Sequence, residues 1–307
     1  MGNIIYAIRE TLGISQEEMA GLLGISFATV NRWENGRSKP NKMAQLRLYD
    51  LCLKKGIDLE GIIRSRISQV VSGLMEAEEA EETEEAEKAE DDKNKKDGKI
   101  LFHGSKSGIK GDIAPISRTH CDFGKGFYMG SDPYQPLTLI SDFEKSKLYV
   151  VSLDMSGLRV LHVQPDMEWA MLVAYNRGKM VGIQDTELYD HYAKLAQGYD
   201  VIVGCIANDR MFYVLDNFFL GNITDKALVM SLSALELGEQ YVAVTENACR
   251  AVEVKAELEL SELERMCLRD MSESNRIRGV NLANDICRDY RREGMFFDEI
   301  LEKAANV

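Results

Sequence analysis

The sequence predicts a multidomain chain with an all-α head, an α+β domain and a helical C-terminal tail. Three observations carry this. From Met1 to about Arg66, apolar residues recur at helical spacing between short turns. From Ile100 to about Val254, short β-prone runs alternate with helical stretches. Between the two, residues 76–92 are almost all Glu, Ala and Asp. The expected divisions are therefore a head over 1–66, an acidic linker over 67–98, an α+β domain over 99–254 and a tail over 255–307.

The 307 residues suffice for two domains and a tail. Hydrophobic residues make up 45% and charged residues 28%, the balance of a soluble globular protein. No run of about 18 apolar residues exists, which argues against a transmembrane helix and a membrane partner. The N-terminus lacks the basic head, apolar core and small-residue cleavage site of a secretory signal, so a cytoplasmic location is expected. Cys52, Cys121, Cys205, Cys249, Cys267 and Cys287 are scattered without CxxC or Cys/His metal spacing. They read as reduced, packed thiols, and no metal is expected. No Walker-type phosphate loop or GxGxxG follows a strand, which argues against a P-loop or Rossmann enzyme.

In the head, Ser15 opens Ser-Gln-Glu-Glu, a capping box with Glu18 at the third helical position. Gly24 breaks that helix, and Ser26 caps a second one that runs to about Asn35 and ends at Gly36. Two helices joined by so tight a turn need a small residue where they touch, and Ala20 supplies it. Met19, Leu23, Ile25, Val30 and Trp33 fall at positions that bury the pair. The formal net charge of −13 taken alone argues against nucleic acid, yet residues 1–57 hold eight basic residues against five acidic ones. A local basic surface is what phosphate contact needs.

This arrangement, continued through Trp33-Glu34-Asn35-Gly36-Arg37-Ser38-Lys39-Pro40, resembles the lambda-repressor-like, or XRE, helix-turn-helix family. The resemblance implies duplex operator DNA as a partner, with the helix from Ser26 to Trp33 in the major groove. Phe27, Ala28, Thr29 and Arg32 would face base edges, and Gln16 and Asn35 would meet phosphates. Arg32 would read guanine, or contact a phosphate; Phe27 would press a thymine methyl.

The linker carries dense like charge and few apolar residues, so it reads as a solvated segment, flexible or partly helical. In the α+β domain the expected strands centre on 100–103, 148–151, 160–163, 201–203 and 240–244. Helices are expected around 167–176, 185–197 and 210–220. The run Leu101-Phe102-His103-Gly104-Ser105 puts a histidine at a strand end before two small residues, and Gly104 lets a ligand approach the backbone. Asp122-Phe123-Gly124-Lys125-Gly126-Phe127-Tyr128 again clears space beside aromatic rings. Each motif alone is also what a buried histidine or a glycine turn would give. His120, His162 and His191 lack a paired ligand and read as surface or packing residues.

Together and in this order, the two motifs resemble the ADP-ribosyltransferase superfamily, and within it the bacterial DUF3990 family. The likeness continues through Tyr199-Asp200-Val201-Ile202-Val203-Gly204, Ala207-Asn208-Asp209-Arg210 and Gln240-Tyr241-Val242. It implies NAD as a substrate, held in a cleft framed by three strands. By that resemblance His103 would bind the adenosine ribose and the Gly104 backbone the nicotinamide amide. Ser105 would assist at the ribose, and Tyr128 would stack on the nicotinamide ring. Arg210 would hold the diphosphate or form a structural ion pair. The third member of the histidine–tyrosine–glutamate triad falls on Gln240, which keeps a hydrogen bond and loses the charge. Glu239 should face the other way on its strand. Asp122 and Asp209 are candidates to compensate, or else members of structural turns and salt bridges.

The expected function is thus a DNA-binding transcription regulator fused to a mono-ADP-ribosyltransferase with catalytic His103, Tyr128 and Gln240. Its acceptor macromolecule is unidentified. The head would form a homodimer on a palindromic site, as in toxin–antitoxin systems. The alternatives are a non-catalytic NAD or ADP-ribose sensor, and a plain regulator whose second domain makes only protein contacts.

Overall fold

Hydroxyl caps start the second and third helices of the head, as the sequence requires. The chain opens with α1 (Ile4–Leu12), α2 (Gln16–Leu23) and α3 (Phe27–Glu34). Ser15 accepts from the Glu18 amide, and the Glu18 carboxylate takes the Ser15 N–H at 2.7 Å. Gly24 ends α2 at φ 67°, a conformation that costs a side-chain-bearing residue energy. Ser26 caps α3 by accepting from the Thr29 amide. Met19, Ala20, Leu23, Val30 and Trp33 are buried, and Ile25 packs against them. Next come α4 (Lys42–Lys55) and α5 (Leu59–Ala86).

The coordinates are a computed structural model that describes residues 4–86, 98–206, 209–234 and 238–305, with side chains for all of these except 78–86 and 209–212. Arg66 does not end the head. Ile63, Ile67 and Val70 keep the helical period and are buried, so α5 runs on into what the sequence suggested was linker.

The second body consists of β1 (Lys99–Ser105), β2 (Phe127–Gly130), α6 (Tyr134–Ile140), β3 (Lys147–Leu153), β4 (Val160–His162), α7 (Met167–Asn176), α8 (Glu187–Leu195), β5 (Val201–Cys205), α9 (Asp209–Phe219), α10 (Asp225–Ala234), β6 (Glu239–Ala243), α11 (Glu246–Arg250), β7 (Val252–Glu259), α12 (Glu262–Asp289) and α13 (Phe297–Ala305). One sheet orders the strands β4-β5-β6-β2-β1-β3-β7, and only the β4–β5 pair is parallel. The tail expected from residue 255 is corrected on two counts. Residues 252–259 are an edge strand that pairs with β3, and the helices after it belong to the core. Leu263, Met266, Cys267 and Leu268 of α12 pack with the head, while Ala283 and Phe297 pack over the sheet.

Alternation along the strands assigns the faces. Phe102, Leu148, Val150 and Leu258 lie under α6, α12 and the head. Ile202 and Val242 lie under α7, α9 and α10. The opposite face is closed largely by the strands themselves: Leu101, Tyr149 and Val151 cluster with Phe127, Val203 and Tyr241. A flat sheet would hold β6 and β7 about 19 Å apart, four strand spacings. The five-residue α11 links the two in sequence, and its Ala248 and Cys249 share one cluster with Tyr149 and Val151 of β3 and Val201 and Val203 of β5, so the sheet is strongly curled.

The head shares its core with this body. Leu48, Tyr49, Ile63 and Ile67 are in one cluster with Phe102, Leu137, Leu263 and Met266. Polar contacts reinforce the joint: Tyr49 with Asp270, Arg66 with buried Glu264, and Lys39 with Glu259 at 2.7 Å. A shared apolar core, rather than a tether alone, fixes the head against the second body.

Candidate functional site

The head exposes the helix face expected to read DNA. Phe27, Ala28, Arg32 and Asn35 are exposed, and Thr29 is half-buried with its hydroxyl 2.9 Å from the Ser26 cap. Gln16 is less free than the sequence suggested. Its amide donates to Glu34 at 2.6 Å and accepts from Asn31 at 3.1 Å. Arg9 clamps the same Glu34 from α1, at 2.7 Å. This network locks α1, α2 and α3 together and fixes the angle at which α3 is presented.

In the second body, β1 is zipped to β3 over seven residue pairs but meets β2 at the single pair Phe102–Gly130. One residue further, the His103 ring takes over. Its Nδ1 lies 2.8 Å from the Tyr128 carbonyl, and the ring stacks on Phe127 with centroids 4.1 Å apart. A carbonyl only accepts, so Nδ1 carries the proton and Nε2 is left with its lone pair. Burial holds the His103 pKa below its ordinary value, which keeps the ring neutral at pH 7. Gly104 has a packing reason to be glycine: a Cβ there would stand 2.8 Å from the Pro136 carbonyl and 3.1 Å from Ile140 of α6. Ser105 closes β1 beyond it.

Tyr128 and Gln240 share a face of the sheet, since Gly130 pairs with Gln240 and Tyr128 with Val242. Both grip the 121–126 loop. The Tyr128 hydroxyl donates to the Gly124 carbonyl at 2.8 Å and accepts the Phe123 amide at 3.0 Å. Burial pushes its pKa up, so it stays protonated. Buried Gln240 donates through Nε2 to the Cys205 carbonyl at 3.0 Å and, more weakly, to the Asp122 carboxylate at 3.5 Å. With Nε2 so directed, Oε1 is the atom left to accept from a ligand. Glu239 is exposed, on the other side of the strand from Gln240.

Asp122 therefore stands beside Gln240, but it is already paired. Arg177 binds its Oδ1 through Nε at 3.0 Å and Nη2 at 2.6 Å, and Asn176 donates to its backbone carbonyl. The sequence singled out Asp122 but gave no sign of Arg177, which lies 55 residues further on. Asp209 and Arg210 open α9, and their side chains lie outside the described residues; Asn208 lies outside them altogether. His120, His162 and His191 are exposed. Among the described residues no group of His, Cys, Asp and Glu is placed to hold a metal, and no helix is long and apolar enough to cross a membrane.

Tyr128 and Gln240 put an aromatic ring and a buried amide on one face, whereas His103, in step with Leu101 and stacked on Phe127, points to the opposite face and reaches the strand junction through its Nδ1. Two surface grooves, of about 420 and 400 Å³, lie along α8 and beside Gly294 and are lined by none of these three residues.

Comparison with known proteins gives two family matches. A helix-turn-helix model matches residues 5–43, which makes the head a DNA-binding domain. A second model, described as "Protein of unknown function (DUF3990)", matches residues 99–254. No curated protein and no solved structure matches the chain. Since the second match spans 156 of its 307 residues, the chain belongs to the DUF3990 family.

Proposed function

We propose that this DNA-binding regulator carries an NAD site in its second body and transfers ADP-ribose from NAD to a macromolecular acceptor. The observation that carries the reading is the His103 junction. A histidine fixed by a carbonyl, held neutral and left with one free acceptor nitrogen is suited to a sugar hydroxyl. The donors and acceptors of these residues support NAD as the ligand. His103 Nε2 would accept from the adenosine ribose, with Ser105 assisting. The backbone of Gly104 would hold the carboxamide, and Tyr128 would offer its ring to the nicotinamide. Arg210 would meet the diphosphate. Bound NAD supplies a glycosidic bond whose cleavage releases nicotinamide and develops positive charge on the ribose, to which the acceptor then bonds. Gln240 would orient that ribose through Oε1, and Asp122, though neutralised by Arg177, is the nearest identified carboxylate on that face.

The test incubates purified full-length protein with labelled NAD and a cell lysate, followed by mass spectrometry for ADP-ribose adducts. Adducts are expected, and Gln240→Glu should raise NAD cleavage by restoring a charge where positive charge develops. Intact NAD with both proteins would overturn the transferase reading.

One observation favours a second reading, a non-catalytic NAD or ADP-ribose sensor. Helix α6 packs on Gly104 and also reaches the head: the Tyr134 hydroxyl donates to the Glu60 carbonyl at 2.7 Å, and Arg64 stacks over the Tyr134 ring at 4.5 Å. A ligand that shifts β1 against α6 would act on the head, and operator DNA would act back on ligand affinity by the same factor. Changed operator affinity on adding NAD, without turnover, selects this reading. In either case the regulator would act on its own operator as a homodimer, as in toxin–antitoxin systems.

A further inference from the structure

Helix α6 is pressed onto all three strands of the candidate site through glycines. Pro136 and Ile140 occupy the space over Gly104 of β1. The Gln135 side chain lies across Gly130 of β2 and Gly238 at the entry to β6. A Cβ on Gly130 would stand 2.8 Å from Gln135 Oε1, and one on Gly238 would stand 1.8 Å from Gln135 Nε2. The Gln135 amide thus fills the place of two missing side chains. Gly130 is the direct partner of Gln240. Paired residues on neighbouring antiparallel strands point to one face with Cβ atoms about 5 Å apart. Gln135 Oε1 therefore stands next to the root of the Gln240 side chain, on the Gln240 and Tyr128 face.

That oxygen is buried and has no hydrogen-bond partner among the described residues. Buried acceptors are nearly always satisfied, and the exceptions call for a reason. Gln240 does not supply the partner, because its Nε2 is turned to the Cys205 carbonyl and Asp122. Two neutral amide oxygens, one on Gln135 and one on Gln240, are left to accept on the same face of the sheet. Two acceptors on one face suit a pair of adjacent donors, and a ribose presents two in its vicinal hydroxyls.

Resting on the NAD reading, we infer that Gln135 is a further specificity-determining residue of the site. With Gln240 it forms a pair of amide acceptors for the hydroxyls of the ribose that carries nicotinamide.

The test uses the full-length chain and calorimetric titration with NAD, ADP-ribose and ADP, which lacks that ribose. Gln135→Met keeps the length of the side chain and removes the acceptor; Gln135→Ala removes both. Both variants should weaken NAD and ADP-ribose roughly three- to tenfold, the effect of one neutral hydrogen bond. ADP affinity, DNA affinity and the unfolding temperature of Gln135→Met should hold. Unchanged NAD affinity in both variants would overturn the role of Gln135 and leave the NAD reading standing. Equal losses for all three ligands, or a lowered unfolding temperature for Gln135→Met, would mark a packing residue and also overturn it. If wild-type protein binds neither NAD nor ADP, the NAD reading itself fails.

Discussion

Gly204→Ala is the sharpest test of how the candidate site is held in shape. A methyl group at this position on β5 would stand 2.6 Å from Cζ and 3.2 Å from Cε2 of the Phe123 ring, with Trp169 at 3.5 Å. Phe123 and Trp169 are 3% and 0% exposed, so neither ring has open space to enter. Ordinary carbon contact needs about 3.5–4.0 Å, so the Phe123 ring must retreat by about 1 Å. Overpacking of this kind costs about 1–3 kcal/mol, offset by about 0.5–1 kcal/mol for replacing glycine within a strand. A net loss of about 1–2 kcal/mol should lower the unfolding temperature by about 2–6 °C, measured by scanning calorimetry. The consequence reaches the site, because the Phe123 amide and Gly124 carbonyl both bond the Tyr128 hydroxyl. Near-ultraviolet dichroism from tyrosine should change with the same variant. Phe123→Leu removes the clashing ring atoms, so the double variant should lose less than the two single losses added together. An unchanged unfolding temperature for Gly204→Ala, or simple additivity with Phe123→Leu, would refute the account of this loop.

The remaining predictions concern the head, the joint and the histidine. Arg32→Ala should weaken specific DNA binding by about 1–3 kcal/mol, or relax base preference, in a salt-controlled selection experiment; equal preference in both proteins contradicts the groove assignment. A protease site inserted between residues 87 and 97 should yield two fragments that co-elute in gel filtration, since the core joining Leu48 and Ile63 to Leu263 and Met266 survives the cut. Separate elution would show that this core does not hold. The His103 pKa is depressed by burial, so its contribution to stability is complete above the unfolded value of about 6.5 and is lost as pH falls through the lower folded value. Between about pH 7 and pH 5 the unfolding temperature of wild type should therefore drop more than that of His103→Gln.

Local chemistry was legible in the sequence where a residue acts on its near neighbours. The caps at Ser15 and Ser26 are three-residue signals, and each appears where the hydroxyl demanded it. Strand β7 is hidden in the sequence for a physical reason. Val252, Val254, Ala256 and Leu258 alternate in sequence with Glu253, Lys255, Glu257 and Glu259, but a register shift turns Val252 and Val254 to the face opposite Ala256 and Leu258, and Glu, Lys, Ala and Leu are also strong helix formers. The charges blunt an exposed edge, and their helix propensity masks the strand in the sequence. The reach of the head into the second body was illegible for a different cause. Ile67 and Val70 look spare until α12, about 200 residues later, supplies Leu263 and Met266 to cover the same joint. The same distance effect conceals the site. His103, Tyr128 and Gln240 each stand out by local motif. Their companions Arg177 and Gln135 do not, because the glycines and carboxylate that give them meaning lie on other elements, distant in sequence.

The central claim, that the second body binds NAD at the His103 junction, is tested most directly by calorimetric titration of NAD into full-length wild type and His103→Ala. The account predicts saturable binding to wild type at one site per chain, weakened at least tenfold in His103→Ala while DNA binding by the head persists. Absence of saturable binding to wild type, or equal affinity in the two proteins, would contradict it.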